Sequence, residues 1–291
     1  MKQSVVSLGC NFAELWQENM KEWDGTISNR MTDDGCEEAF WQSFLEKKKK
    51  QGESYINSYA PKIQQELLAL LQPDDRVAEI GPGWGNYTFS TAKHVRHLTC
   101  IDSSKSVITF LKEEGNRKQL NNMSFIHEKW EGLAPPQPYD VVFGINCYYR
   151  VQDIQDALIK MNNTASRLAI AGMTSGPEKP HYLDLHHEKG YEIKFRRRDY
   201  IHLQNILYQL GIMANCKIIE LPTTAIYDTY EELIKANSSK ILTNHYSTKD
   251  IEQALTPYVT QNEGKYEYSY TFHAVLLYWK PVKLFEEIVP S

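Results

Sequence analysis

The chain has 291 residues, with 32 Lys and Arg against 37 Asp and Glu, a formal charge of −5 and a pI near 6.0. That balance gives no global field to attract a polyanion, which disfavours a non-specific nucleic-acid binder or a basic membrane-surface protein. Hydrophobic residues at 42% and charged residues at 24% are ordinary globular usage and exclude a mainly disordered, collagen-like or coiled-coil chain.

Five cysteines, Cys10, Cys36, Cys100, Cys147 and Cys216, form no CxxC pair, which speaks against a disulfide framework or a Cys-rich zinc site and for a reducing compartment. The opening MKQSVVSLGC has too few apolar residues for the core of a secretory signal. No stretch reaches the roughly 18 to 20 apolar residues of a membrane span. The expectation is a soluble cytoplasmic protein with no membrane partner and no metal.

In chain order, residues 1–60 come first, rich in Trp and charge (Trp16, Trp23, Trp41 and the run Lys47 to Lys50) and read as a helical cap. From 61 onward, short β-branched runs alternate with segments of helical spacing. The expected helices are Ile63 to Leu71, Tyr87 to Lys93, Ser104 to Glu114, Ile154 to Asn162 and Asp199 to Leu210. The expected strands are Arg76 to Ile80, His97 to Asp102, Met123 to His127, Tyr139 to Ile145, Arg167 to Met173, Cys216 to Leu221 and Tyr268 to Trp279. Parallel neighbours need crossover connections, usually helical, so the pattern predicts an α/β fold: a mostly parallel sheet with helices on both faces. Residues 223–265 read as a late helical insertion, with helices at Tyr230 to Ala236 and Thr248 to Tyr258, the latter capped by Ser247 or Thr248. The cap and the insertion are either covers for a site or extra packing layers.

The most informative stretch is Arg76-Val-Ala-Glu79-Ile-Gly81-Pro-Gly83-Trp-Gly85-Asn86-Tyr87, a strand, a glycine turn and a helix start. Glycines there let the backbone turn sharply and approach a ligand. The next strand ends in Asp102, roughly 20 residues on, the spacing at which an acid meets ribose hydroxyls. A dinucleotide fingerprint wants GxGxxG, but its third glycine position is Asn86 here; a Walker loop would need Gly-Lys-Ser/Thr after the turn, and none follows.

An acid followed by GxGxG, here Glu79, Gly81, Gly83 and Gly85, resembles the signature of the class I S-adenosylmethionine-dependent methyltransferases. The resemblance covers about Ile63 to Met173 and implies a Rossmann-like seven-stranded sheet whose last strand inserts antiparallel. It implies S-adenosylmethionine as cofactor, with the glycine loop under the methionine and ribose parts, Glu79 in the network around the amino-acid moiety, and Asp102 on the ribose. Ser103 and Asn146 join the implied cofactor set, and Lys129 and Trp130 fall beside the adenine. Many members carry Asp where Lys129 stands; a lysine cannot accept from the adenine amino group, which leaves that contact to Trp130 or the backbone.

Ligands of open α/β sheets bind beyond the carboxyl ends of the strands, so the acceptor should face Asn146-Cys147-Tyr148-Tyr149. Enzymes that methylate base amines in nucleic acid commonly carry two prolines and an aromatic after that Asn or Asp, and these prolines are missing. Tyr148 and Tyr149 either line the substrate or simply pack. Cys147 reads as a small buried hydrophobe, and Cys100 and Cys216 as core. The run His181-Tyr-Leu-Asp-Leu-His186-His187-Glu188 matches no zinc spacing and reads as a polar loop, with His181 a minor candidate for substrate contact. Arg196 to Arg198 would suit an anionic substrate better than the lysine run, because guanidinium grips carboxylates in bidentate fashion. The expected partner is a small-molecule methyl acceptor. The alternatives are a nucleic-acid or protein methyltransferase, an aminopropyl transferase, and a non-catalytic cofactor-binding module.

Overall fold

The computed structural model describes residues 9–50, 58–134, 138–175 and 178–284. By chain contacts it divides into two compact units. The first holds Met1–Met173, Tyr200–Lys217 and Val275–Ser291; the second holds Thr174–Asp199 and Ile218–Ala274.

The strands are β1 Arg76–Ile80, β2 His97–Asp102, β3 Met123–His127, β4 Tyr139–Ile145, β5 Ala165–Ser175, β6 Asn215–Tyr227, β7 Val259–Asn262 and β8 Lys265–Trp279. They order as β3-β2-β1-β4-β5-β8-β6, with β7 paired antiparallel on β8. Pairs β3·β2, β2·β1, β1·β4 and β4·β5 are all parallel. The last strand thus inserts between β5 and β6, as the resemblance implies; the short hairpin strand β7 makes the count eight instead of seven. Strand β1 is buried from Val77 to Ile80, as a central parallel strand covered on both faces must be.

In the first unit the helices are α1 Phe12–Glu18, α2 Asn29–Thr32, α3 Asp34–Lys50, α4 Ala60–Leu68, α5 Thr88–His94, α6 Lys105–Arg117, α7 Ile154–Thr164 and α9 Tyr200–Gln209. Several starts are set by local chemistry. Pro61 sits in the first turn of α4, where its missing N–H costs nothing. The Ser104 hydroxyl caps α6 by accepting from the Val107 amide at 3.2 Å. The core joins Ala78 and Ile80 of β1, Val142 of β4, Ile154, Leu158 and Met161 of α7, and Leu203 and Leu207 of α9. Trp16 of α1 enters this core almost fully buried and donates its indole N–H to the Val151 carbonyl at 2.9 Å.

The second unit holds α8 Pro180–Lys189, α10 Tyr230–Ser238 and α11 Thr248–Leu255, packed around Tyr182, Leu185, Ile193, Leu233, Ile251 and Tyr268. Three expectations are corrected here. The histidine run is helix, not loop: Pro180 opens it and Gly190 closes it in the left-handed conformation at φ 70°, a start and stop pair present in the sequence. Helix α11 ends at Leu255, with a 3-10 turn over Thr256–Tyr258, and Ser247 occupies its cap position without a side-chain capping bond. Cys216, expected in the core, is exposed near the start of β6; Cys100 is buried.

Candidate active site

A cavity opens at the carboxyl ends of β1, β2 and β4, where parallel strands direct their loops to one edge of the sheet. It is lined by Glu79, Gly81 and Gly83 from β1 and its loop, Asp102 and Ser103 from the end of β2, Lys129 and Trp130 after β3, and Asn146 and Tyr149 after β4. Met31, Glu37 and Trp41 of the N-terminal segment complete the wall, with Arg150 beside Tyr149.

The loop is built for close approach. Gly81 has φ 58°, and a β-carbon there would fall 2.4 Å from Cys147 Cβ. Cys147 is brought there by Asn146, which takes a left-handed φ of 57° and donates its amide to the Gly172 carbonyl at 2.9 Å, turning the chain sharply off β4. Its surroundings push the Cys147 thiol up, and the side chain, expected to be buried, is half-buried and itself lines the cavity.

Two carboxylates are buried against this loop. Glu79 is almost fully enclosed, its Oε2 has no hydrogen-bond partner, and burial, with Asp102 nearby, pushes it up to about 8. The hydroxyl of Tyr87, also on the cavity wall, is likewise buried without a partner. Asp102 accepts from the Ser104 amide at 2.8 Å, yet burial lifts it to about 6. An orphaned acceptor, an orphaned hydroxyl and a glycine cradle are the groups that an amino acid's ammonium and carboxylate would satisfy, with Asp102 left for a diol; the residues fit S-adenosylmethionine.

On the adenine side, Lys129 Nζ pairs with Asp34 at 2.7 Å, and the Trp130 indole donates to the Ala157 carbonyl at 3.2 Å. Trp130 therefore offers ring surface and no donor, and Lys129 is turned toward α3.

Other expected residues are placed elsewhere. Gly85, at φ 83°, does not line the cavity; a β-carbon there would strike Phe89 at 2.6 Å, so it serves helix packing. Tyr148 is not substrate-facing: it is buried, and its hydroxyl donates to the Gly144 carbonyl at 2.9 Å. His181 does not line the cavity either. It lies buried in the second unit between the Tyr268 hydroxyl at 2.8 Å and the Asn237 carbonyl at 3.0 Å, and burial lowers it to about 4. A neutral imidazole with both nitrogens engaged is a core group.

Glu37 was not legible in the sequence, where it is one acid among many in a charged segment. In the fold its side chain is 3% exposed and accepts from Arg30 Nε at 2.9 Å, Arg30 Nη2 at 3.2 Å, Trp41 Nε1 at 2.6 Å and the Tyr149 hydroxyl. Its neighbours fasten the same helix: Asp34 accepts from Arg150 at 2.7 Å, and Glu38 accepts from the Ser106 amide and hydroxyl at 2.9 and 2.6 Å. Among the described residues, no group of three or more His, Cys, Asp or Glu could hold a metal, and no helix is long and apolar enough to cross a membrane.

A family model described as a methyltransferase domain matches residues 77–166, the span from β1 to the start of β5. An uncharacterized protein of Haemophilus influenzae is 27% identical over 192 residues, 64% of this chain and 69% of that one. Ribosomal RNA small subunit methyltransferase A of Malacoplasma penetrans is 27% identical over 115 residues, 37% of this chain and 42% of that enzyme. A solved structure of a putative methyltransferase from Bacillus halodurans shares the fold, with a TM-score of 0.53 at 14% identity over 78% of this chain and all of that one. Residues 77–166, with the glycine loop and both buried acids, match a methyltransferase domain, and the fold is that of the class I S-adenosylmethionine-dependent methyltransferases.

Proposed function

We propose that the protein transfers a methyl group from S-adenosylmethionine to a small-molecule acceptor taken into the cavity beneath α3. The observation that carries this reading is the meeting, on one cavity wall, of the glycine cradle, the orphaned Glu79 Oε2 and Asp102. When bound, the cofactor supplies a methyl on a sulfonium, a centre with a good leaving group already in place.

The protein's part is then alignment and exclusion of water. Gly81 and Gly83 bring bare backbone against the ligand, Asp102 orients the ribose, and Glu79 with Tyr87 engages the amino-acid end. Glu37, Asp102, Glu128 and Glu131 face the cavity against Lys129 and Arg150, a surplus of negative charge suited to a sulfonium. Trp41 and Tyr149 wall the acceptor side, which supports an acceptor that enters over one that docks on an open face. The acidic chain and the missing prolines after Asn146 favour a small molecule over a base in nucleic acid.

The test is calorimetric titration with S-adenosylmethionine and with NAD, on the wild type and Asp102→Ala, followed by methyl-label transfer to separated metabolite, RNA and protein fractions. Binding of S-adenosylmethionine alone, weakened by the substitution, with label entering the metabolite fraction is the expected result. Label entering only RNA or protein overturns the acceptor class, and failure to bind S-adenosylmethionine overturns the function.

A further inference from the structure

We infer that Lys160 of α7, which stands outside the cavity lining, is a positioning residue for the adenine base: it sets the backbone of the turn after β3 so that this turn tells adenine from its deaminated form. The inference rests on the methyltransferase reading above and adds a residue to the same site.

Adenine shows a donating amino group and accepting ring nitrogens. The side chains beside its expected place read these poorly. Lys129 carries donors only, and its ammonium is paired with Asp34 at 2.7 Å. Trp130 spends its indole N–H on the Ala157 carbonyl at 3.2 Å, and Glu128 turns Oε1 back on the Lys129 amide at 3.1 Å. Recognition then falls to the backbone of the turn and to the Glu131 carboxylate, which also borders the cavity and can accept from an amino group.

A backbone discriminates only as sharply as it is held. The sheet fixes the entrance of the turn: His127 of β3 pairs with Asp102 of β2, and the Glu128 amide donates to the Asp102 carbonyl at 3.1 Å. Further on, the Leu133 amide closes onto the Lys129 carbonyl at 3.1 Å. The remaining grip comes from α7. Lys160 Nζ donates to the Trp130 carbonyl at 2.5 Å, to the Glu131 carbonyl at 3.2 Å and to the Leu133 carbonyl. An ammonium has three donors, so this one turn takes them all and leaves none for an acid. Ala157, on the same face of α7, holds the Trp130 ring, and the Lys160 ammonium stands 5.0 Å from the centre of that ring.

In a trans peptide the carbonyl and the following N–H point opposite ways. Drawing the Trp130 and Glu131 carbonyls to α7 therefore sets the Glu131 and Gly132 amides on the other edge of the turn, whose residues Glu128 to Glu131 border the cavity. Those amides are donors for a ring nitrogen, and the Glu131 carboxylate is carried on the same backbone. Lys160 touches neither ligand nor reacting atoms and acts through Glu131 and its neighbours.

Two ligands separate this role from a general one in stability. S-adenosylhomocysteine carries adenine; S-inosylhomocysteine carries hypoxanthine, with a proton on N1 and an oxygen where the amino group was. Donor then faces donor, and carboxylate faces carbonyl oxygen. Both are titrated by calorimetry into the full-length wild type and into Lys160→Met, which keeps the apolar stem and removes the donors. The wild type should prefer S-adenosylhomocysteine by about tenfold or more, because the mismatched base leaves polar groups unpaired. In Lys160→Met, S-adenosylhomocysteine should bind about five- to tenfold more weakly and S-inosylhomocysteine should change by less than about twofold, so that the preference falls to about twofold. A purely structural role would weaken both ligands alike and keep their ratio; that result overturns the inference, as does unchanged affinity for both. A wild type that binds the two ligands equally also overturns it. Should Lys160→Met fail to fold, Lys160→Gln, too short to span three carbonyls, is judged by the same ratio. Failure of the wild type to bind either ligand overturns the methyltransferase reading itself.

Discussion

Trp41 of α3 lies over Gly83 of the glycine loop, so close that a β-carbon on Gly83 would come within 3.1 Å of the indole ring. Gly83 also has φ 55°, where a side chain is strained whatever the space. Gly83→Ala should therefore cost about 1 to 3 kcal/mol and lower Tm by roughly 3 to 9 °C. Trp41→Ala in the same chain should restore only part of this, because it relieves the contact and leaves the dihedral. A thermal melt of the two single variants and the double variant checks it; full restoration would show that the dihedral carries no strain.

Asp102 presents a trade between stability and binding. Burial raises its pKa to about 6, so at pH 7 the folded protein holds an ionised group in a place that disfavours it. Asp102→Asn keeps the acceptor for the Ser104 amide and removes the charge. The variant without ligand should melt higher by a few degrees, while S-adenosylmethionine binds about 10- to 100-fold more weakly, as expected for the loss of a charged hydrogen-bond acceptor. Melting with and without ligand, alongside calorimetry, reads both effects.

Much of this site could be read before the fold was seen. The strand, glycine turn and helix start from Arg76 to Tyr87 declare themselves locally, because backbone dihedrals are set by neighbouring residues, and Asp102 follows at a spacing fixed by one crossover. Glu37 could not be read, since its role depends on Tyr149, 112 positions away, and nothing in a run of mixed charge marks which acid turns inward. His181 shows the opposite failure. The run reads as a polar loop with His181 a minor candidate for substrate contact, but Pro180 and Gly190 frame a helix, and the helix buries that ring in the second unit against Tyr268 and Asn237.

Glu79 gives the protein a pH dependence of defined sign. Its pKa is about 8 in the fold against an ordinary 4.5, so the folded state binds the proton more tightly than the unfolded chain. Its contribution is most favourable below pH 4.5 and is lost progressively as pH rises through about 8. Ligand-free stability measured from pH 5 to 9 should fall with a slope that Glu79→Gln flattens. A cofactor ammonium favours the ionised acid, so binding near pH 7 should release up to about one proton, seen as a dependence of calorimetric heat on buffer ionisation enthalpy. Proton uptake on binding would contradict the assignment of Glu79 to the ammonium.

At the opposite end of β1, Asp75 is buried and ties three segments together. It accepts from the Gln72 amide at 2.7 Å and from Arg167 of β5 through Nε at 3.0 Å and through Nη2, while Arg167 also donates to the Leu70 carbonyl at 3.2 Å. Asp75→Ala strands a guanidinium that is only about a third exposed and removes the acceptor of the Gln72 amide, so it should cost about 2 to 4 kcal/mol, a substantial share of the stability of a domain. Replacing Arg167 by Met removes the other half of the pair, and the double variant should be more stable than Asp75→Ala alone because no stranded charge remains. None of these groups borders the cavity, so S-adenosylmethionine affinity of the folded fraction should stay within about twofold of wild type. Urea titration of the three variants tests the stability order. A double variant no more stable than the single one would place the cost in the lost turn around Gln72 and not in the ion pair.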